Sequence, residues 1–376
     1  MGELRLRVPY GQDSQDGTWL CPVRLAWGLA AHQTMSPALE EKICFTATMT
    51  PSFENAAAVA AKWGSPVDDA TIHHHVAQAG ARAEAQAAAR VERALDIETR
   101  AEVVALAQRE VPCREFSLVL MLDGWMIRER GDQWGLKPPE IKAERVSWRE
   151  MKSAIVFRLD QRAATQSGRP MILEKYYVAH RGDPEELGRR LYAEALRRGL
   201  NQAAKVYVVA DGGVWIWNLV ADRFPEAIGV LDFYHASGHL WAVAHALFGE
   251  EEPAARQWVE PLLHQLAHGG ESGVLRTLED LLQLCRQLAE ERQKVIEREV
   301  AYFQSHREHV HYQQRQQEGC PKGSGAMEST CSQYQDRFKR TGQFWTLAGE
   351  HHLLALELAR RNQDWDEIWS VPYQQN

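Results

Sequence analysis

The hydrophobic pattern gives the chain a helical first part and a later part that contains strands. From residue 36 to about 110 the sequence is rich in alanine, and its apolar residues recur at helical spacing. The Ser-Pro pair at residues 36 and 37 suits a helix cap followed by proline in the first turn. We therefore expect an α-helical N-terminal region over residues 1–111, after a turn-rich beginning.

Two segments of this region have the outline of a helix-turn-helix. A helix over 52–63 ends before Gly64, and a second helix begins near Asp68 or Asp69. Two short helices joined by a turn with glycine are typical of DNA-binding modules of this kind. A plain helical hairpin has the same outline, and the second helix carries three histidines but no arginine before Arg82. The pattern leaves both interpretations open.

The pattern changes after Pro112. The run FSLVLMLDGWMIRER is almost continuously apolar up to Asp123 and Gly124, which is typical of a central strand buried on both faces. Four further strand patterns follow, at 150–159, 170–180, 204–213 and 227–236.

The order of elements from residue 116 predicts a mixed α/β core. A helix is expected over 183–200, with proline near its start and glycine at its end. A helical block over 237–316 follows the last strand pattern. The glycine-rich loop at 319–325 then leads into a helix that carries Glu328 in its first turn, and Ser324 is placed to cap this helix.

Composition is that of an ordinary globular protein. The 376 residues are 45% hydrophobic and 25% charged, which leaves room for two or three domains. No apolar run approaches the ~20 residues that span a bilayer, and the beginning lacks a signal-peptide pattern. The six cysteines form no C-x-x-C pair, which favours reduced thiols. We expect a cytoplasmic protein without a membrane partner.

The net charge of -8 argues against a protein coated in nucleic acid, but its basic residues are clustered. The segment RRLYAEALRRGLNQAAK has five positive residues against one glutamate, and RFKRTG is basic as well. Because phosphate binding depends on the face that a protein presents, composition leaves a nucleic-acid partner open.

Three carboxylates, Asp123, Asp211 and Asp232, each lie at the end of a predicted strand. Functional groups collect at strand ends in α/β sheets, although a single Asp-Gly after a strand is most often a turn. Magnesium prefers oxygen ligands, and two such ions about 4 Å apart can activate a nucleophile and stabilise a leaving oxygen in phosphodiester chemistry. Two strand–Asp-Gly junctions, at Asp123 and Asp211, together with a third acid from the loop and helix of Glu328, would suffice for such a site.

Several segments together resemble bacterial insertion-sequence transposases of the ISKra type: LMLDGW, VVADGGVWIWNLVADRFPEAIGVLDFYHASGHL, GCPKGSGAMES and RFKRTGQFW. The resemblance extends from about residue 112 to the C-terminus and, less specifically, into the N-terminal region. It implies a DDE transposase with an RNase H-like core and a large all-helical insertion. The implied domains are a helical DNA-binding region over 1–111 and the core strands with the first helix over 112–236. The helical insertion over 237–318 and a catalytic helix with a tail over 319–376 follow.

The same resemblance implies the catalytic acids. Asp123, Asp211 and Glu328 match the three acids of these enzymes, which hold magnesium or manganese, and two ions are expected. The segment from Asp211 also resembles Mutator-type transposases, in which a Cys-x-x-His pair follows the second acid. Asp232 stands at the cysteine position here and His235 at the histidine position.

Asp232 is therefore an alternative second acid or, with His235, a residue that supports the acids. We rank Asp211 first because its strand is expected to lie beside the first one. His235 and His239 are four residues apart on an expected helix, a spacing typical of metal ligands and equally of a polar helix face.

Other residues are candidates for DNA contacts or for the core. Trp215 and Trp217 alternate at strand spacing, and we expect them in the core rather than stacked on bases. Four basic residues near Glu328 are candidates for binding DNA phosphates, although a solvated helix end also explains RFKRTG: Lys322, Arg337, Lys339 and Arg340.

These expectations describe a divalent-metal-dependent DNA transposase that cleaves and joins strands by in-line attack on phosphorus. Its expected partners are double-stranded DNA, as terminal inverted repeats and target, and further copies of the chain, and its expected place is the nucleoid. Two alternatives stay open: a catalytically silent DNA-binding protein derived from a transposase, and a structure-specific nuclease that cuts without joining.

Overall fold

The computed structural model describes residues 9–26, 35–111, 114–132, 134–135, 145–168, 170–250 and 252–370. The chain divides into two compact units, each made of segments that are distant in sequence. Unit 1 comprises Met1–Arg90, Met126–Arg149 and Gln333–Asn376. Unit 2 comprises Val91–Trp125 and Glu150–Ser332. The functional division into four consecutive domains stays a prediction.

Strands and helices alternate only in the middle of the described chain. The strands are β1 Gly11–Gln12, β2 Trp19–Leu20, β3 Ser117–Arg130, β4 Val146–Arg158, β5 Arg162–Ala164, β6 Pro170–Ile172, β7 Tyr176–Arg181, β8 Lys205–Ala210 and β9 Ile228–Leu231. The helices up to the last strand are α1 Pro22–Ala26, α2 Pro37–Met49, α3 Phe53–Lys62, α4 Asp69–Leu95, α5 Ile97–Glu110, α6 Pro184–Arg197 and α7 Val214–Arg223. Those that follow are α8 Phe233–Phe248, α9 Pro253–Ala267, α10 Glu271–Leu284, α11 Glu290–Ser305, α12 Tyr312–Gln317, α13 Gly325–Phe338, α14 Leu347–Arg361 and α15 Trp365–Ser370.

The main sheet confirms the mixed α/β class. Its five strands lie in the order β7-β4-β3-β8-β9. Strand β8 runs parallel to both β3 and β9, whereas β7 is antiparallel to β4. Strand β8, which Asp211 follows, lies beside β3 as predicted.

Strand β3 is the centre of this sheet and is buried on both faces, as its apolar run predicts. Its residues from Leu118 to Leu122 are at most 2% exposed. The even-numbered side chains of this segment pack with α6 and α7 in one core. Alternation along the strand places Asp123 on the opposite face, with Val119 and Met121.

Helix α6 begins and ends as its sequence predicts. The Asp183 side chain accepts a hydrogen bond from the Glu185 backbone N–H, and Pro184 occupies the first turn. Gly199, two residues beyond the helix, has a positive φ of 92° that suits glycine.

Three expectations about elements were wrong. Trp215 and Trp217 lie on helix α7, so their spacing does not reflect a strand. The apolar run over 170–180 divides into β6 and β7. Helix α4 has 27 residues and ends at Leu95, where Asp96 caps α5, so the second helix of the expected helix-turn-helix is long and not short.

Unit 1 contains the helices α2, α3, α14 and α15. It also contains the end of β3, which a single β-bridge joins to the segment after α13. Glu40 is completely buried and lies 3.4 Å from Arg82. Trp345 forms a parallel bridge with Glu129, and its indole N–H donates to the Phe338 carbonyl. In the described residues, none of the helices combines the length and the apolar character that crossing a bilayer demands.

Candidate active site in unit 2

Three aspartates lie at the same level of the central sheet. In the register of β3, β8 and β9, Leu122 pairs with Ala210 and Ala210 pairs with Leu231. Asp123, Asp211 and Asp232 are the next residues of these three strands. Because neighbouring strands are roughly 4.8 Å apart, this register brings the three acids to one level of the sheet, where β8 and β9 end. Strand β3 continues to Arg130, so the expectation that Asp123 ends its strand was wrong.

Asp123 is half-buried and interacts electrostatically with its neighbours. Its carboxylate accepts a hydrogen bond from the Gly124 N–H at 2.7 Å. Burial raises the pKa of Asp123, and the negative charge of Asp211 raises it further, whereas Gly124, the Cys331 thiol and His235 act in the opposite direction. The two carboxylates are thus close enough to repel each other.

Asp211 is fixed at the beginning of helix α7. Its carboxylate accepts a hydrogen bond from the Gly213 N–H at 2.9 Å, and its backbone carbonyl accepts one from the Trp217 indole at 2.8 Å. Between them, Gly212 lies directly against the Tyr302 ring, which a Cβ at residue 212 would approach to 2.1 Å. Helix α11, which carries Tyr302, therefore covers the turn that follows Asp211.

Asp232 has a different environment, because it is completely buried and hydrogen-bonded at both oxygens. Oδ1 accepts from the backbone N–H groups of Tyr234 and His235 at 2.7 and 3.0 Å, which caps helix α8. Oδ2 accepts from the backbone N–H and the hydroxyl of Ser324 at 2.5 and 2.6 Å. Four donors thus occupy this carboxylate and favour Asp211 as the second acid.

Glu328 lies in the first turn of helix α13, and its side chain is 51% exposed. The Ser324 carbonyl accepts the backbone N–H groups of Met327 and Glu328, which starts the helix, while the Ser324 hydroxyl donates to Asp232. His235 Nε2 lies 4.0 Å from Glu328 Oε1. One turn beyond Glu328, burial raises the pKa of the Cys331 thiol, and the charges of Asp123 and Glu328 add to this effect.

Helix α11 and the segment after it contribute residues that the sequence analysis missed. Tyr302 stacks on His239 with ring centroids 3.7 Å apart, and the buried Glu299 carboxylate pairs with the same histidine. His309 stacks on Trp217 at 4.0 Å. Burial, followed by the charge of His306, lowers the pKa of His309 to about 4. The dense histidine pattern in HREHVHY was the signal for this cluster.

The four basic candidates have different environments. In unit 2, Lys322 is half-buried with Nζ 4.6 Å from the centre of the Phe233 ring. In unit 1, Arg337 is 6% exposed and donates to the carbonyls of Ala47 and Pro51, so its guanidinium stabilises the fold and is not presented to a phosphate. Lys339 is half-buried and Arg340 is exposed.

The donor set has the chemistry of a site for a hard divalent cation. Asp123 and Asp211 are oxygen ligands whose mutual repulsion a cation would relieve. Glu328 is linked to this pair through Cys331, which interacts with both Asp123 and Glu328. Among the residues that the structure describes, no three His, Cys, Asp or Glu side chains are grouped closely enough to hold an ion as they stand. Asp123 and Asp211 are the two carboxylates of this set that could ligate such a cation.

Part of the chain matches the model of a known protein family. Residues 184–368 match an uncharacterised protein family (UPF0236). The matched segment includes Asp211, Asp232 and Glu328 but begins after Asp123. No curated protein matches the chain.

Proposed function

We propose that this chain is a DNA transposase of the ISKra type, with Asp123, Asp211 and Glu328 as its catalytic acids. The observation that carries the proposal is the register of β3 and β8, which aligns Asp123 with Asp211 at one edge of the sheet. Their electrostatic coupling, together with the exposed Glu328 on a helix that starts nearby in unit 2, supports it.

The sheet supports an RNase H-like core as the scaffold. The first three long strands of the core form one side in the order β7-β4-β3, and the two strands after helix α6 form the other. In this mixed sheet, acids lie at one level of the three parallel strands β3, β8 and β9, and the helices α8 to α12 lie between the second acid and the third. The helical segment corresponds to the insertion that the resemblance implies.

The residues of the chain have distinct tasks in the proposed reaction. Asp123 and Asp211 direct negative oxygens to the sheet edge, where the N–H groups of Gly124 and Gly213 orient them. Glu328 supplies a third carboxylate, with His235 beside it. When bound, a divalent cation supplies Lewis-acid stabilisation of charge on the phosphate and on the attacking and leaving oxygens.

Residues around the acids hold this arrangement. The Asp232 carboxylate secures the loop that precedes α13, and the Tyr302 ring packs against Gly212 beside Asp211. Such rigid support matters because an in-line displacement depends on positioning of the reacting groups.

The test uses duplexes made from the DNA that flanks the gene, with a supercoiled target plasmid and Mg²⁺ or Mn²⁺. We expect strand cleavage at the element ends and covalently joined products. Cleavage without joining would replace the proposal with the structure-specific nuclease. Binding of the duplex without either product in both metals would replace it with a silent DNA-binding protein.

A further inference from the structure

Unit 1 presents a row of neighbouring cationic and aromatic side chains, which we name the cation–aromatic row. It is built from the end of β3, Trp134 in the connection to β4, the start of β4 and the segment after α13. Its members, in spatial order, are Arg130, Trp134, Phe344, Arg128, Trp148 and Lys339.

Each member contacts the next at the distance of a cation–π or ring interaction. The Arg130 guanidinium lies 5.4 Å from the centre of the Trp134 ring, and Trp134 lies 4.8 Å from Phe344. Arg128 lies between Phe344 and Trp148, at 5.2 and 5.7 Å. Lys339 Nζ lies 5.4 Å from Trp148. The contacts align six side chains from different segments in one continuous row.

The row is accessible and rigidly supported. Trp148 is 52% exposed and Trp134 is 41% exposed. The backbone bridge between Glu129 and Trp345 fixes the segment of Phe344 beside β3, and the Arg128 guanidinium also donates to the carbonyls of Lys339 and Arg340. Exposed aromatic surface is therefore held in place by backbone and side-chain hydrogen bonds within the described residues.

The charge around the row is strongly positive. Apart from the buried Arg337, the segments 126–132, 145–149 and 337–345 contain six arginines and lysines against Glu129 and Asp132. Glu129 is buried, so little negative charge faces solvent here. A chain with net charge -8 thus concentrates positive charge at this surface.

We propose that the cation–aromatic row binds single-stranded DNA. Unpaired bases stack on aromatic rings whatever their sequence, and interleaved cations bind the phosphates between them. Duplex DNA offers phosphates but no free base faces, so it cannot use Trp134 and Trp148 in this way. The inference goes beyond the proposed function, because none of the row's side chains belongs to the acidic site.

The test measures fluorescence anisotropy of the full chain in EDTA with a labelled oligothymidylate of about 20 nucleotides. The Trp148→Ala variant is expected to lose about tenfold or more in affinity, the value of one base stack, and Trp148→Phe to keep most of it. The Lys339→Gln variant should reduce the slope of log affinity against log salt by about 0.7. Leu347→Ala is the matched control, because Leu347 is 49% exposed, also lies in unit 1 and has no aromatic ring.

A labelled duplex and an oligouridylate complete the comparison. Duplex affinity should change less than about twofold in Trp148→Ala, since phosphate contacts remain. Equal losses for single strand and duplex, or no loss for either, would overturn the proposal, as would tighter binding of the RNA. Binding in EDTA needs neither a metal ion nor strand cleavage, so oligothymidylate binding by a chain that joins no DNA would separate this inference from the proposed catalysis.

Discussion

The buried carboxylate of Asp232 accepts two hydrogen bonds from Ser324, one from its backbone N–H at 2.5 Å and one from its hydroxyl at 2.6 Å. Asp232 directly follows β9, and Ser324 directly precedes α13. The contact therefore ties the glycine-rich loop before Glu328 to the edge of the sheet. It gives a structural task to an acid that the sequence alone left as an alternative ligand.

Removal of either partner is expected to destabilise the protein. Asp232→Ala should lower the free energy of unfolding by about 3–5 kcal/mol, because four donors, two of them buried, lose a charged acceptor. Ser324→Ala should cost about 1–3 kcal/mol, because one charge-assisted hydrogen bond is lost. Urea denaturation followed by circular dichroism measures both.

Ser305→Ala is the control, since this exposed hydroxyl donates only to the Tyr302 carbonyl in the described structure. It should change stability by less than about 0.5 kcal/mol. Equal stabilities of Ser324→Ala and Ser305→Ala would contradict a supporting contact between Asp232 and Ser324.

Because Gly212 lies against the Tyr302 ring, adding one methyl group at residue 212 is expected to lower stability strongly. Gly212→Ala should destabilise unit 2 by about 2 kcal/mol or more, because the added Cβ meets the Tyr302 ring. The double variant with Tyr302→Ala should recover part of this loss relative to the sum of the single variants. Thermal unfolding measures the cycle.

Gly238 provides a matched control on the exposed side of helix α8, where a Cβ would meet nothing within 4 Å. Gly238→Ala should stabilise by about 0.5–1 kcal/mol, the usual preference for alanine in a helix. Strict additivity of Gly212→Ala and Tyr302→Ala would show that the two residues do not contact each other.

The sequence predicts the placement of Asp123 beside Asp211, because this placement depends only on which strands are neighbours. Hydrophobic runs that end in Asp123 and Asp211 predict neighbouring strands, and the sheet pairs them in that way. Trp215 and Trp217 were misassigned because the apolar run after Gly213 suits a strand as well as a buried helix, and only packing decides between them.

Contacts made by the helical segment could not be predicted in the same way. Tyr302 reaches Gly212 across 90 positions because α11 packs onto α8, and no local pattern encodes that geometry. The burial of Arg337 likewise depends on carbonyls of Ala47 and Pro51 that are distant in sequence. Local sequence gives the identity of such residues but not their partners.

The raised pKa of Asp123 predicts how stability responds to the loss of its charge. Ionising this carboxyl group in the folded chain costs free energy, and the cost develops as the pH rises from 3.8 through the raised pKa. At neutral pH in EDTA, Asp123→Asn should therefore unfold at a temperature higher than the wild type by on the order of 1–3 °C.

Added Mg²⁺ should reverse this order, because ion binding stabilises only the chain that keeps both carboxylates. Differential scanning fluorimetry with and without Mg²⁺ measures the effect. Two results would contradict this account of Asp123: a wild type that unfolds at a higher temperature than Asp123→Asn in EDTA, or a variant whose unfolding temperature rises as much with Mg²⁺ as that of the wild type.

The His309 environment predicts a loss of stability in mild acid. The folded chain binds a proton on His309 only near pH 4, whereas the unfolded chain does so near 6.5. Stability from this group is therefore present above pH 6.5 and is lost as the pH falls towards 4. His309→Phe, which keeps a ring beside Trp217, should lose less stability between pH 7 and pH 5 than the wild type.

Urea denaturation at the two pH values measures this difference, and NMR titration of the His309 ring checks its cause. An imidazole that titrates near pH 6.5 in the folded protein, with equal acid sensitivity of wild type and variant, would show that burial does not keep this ring neutral.

The central claim is that Asp123, Asp211 and Glu328 act together in DNA strand transfer. The most direct measurement is the yield of joined DNA with Asp123→Asn, Asp211→Asn and Glu328→Gln, each assayed in Mg²⁺ beside Asp222→Asn, an exposed acid on α7. We expect each of the three to lose about 10³-fold or more, because the three carboxylates act as a unit, and Asp222→Asn to retain wild-type yield. Wild-type yield from any of the three variants would contradict the claim.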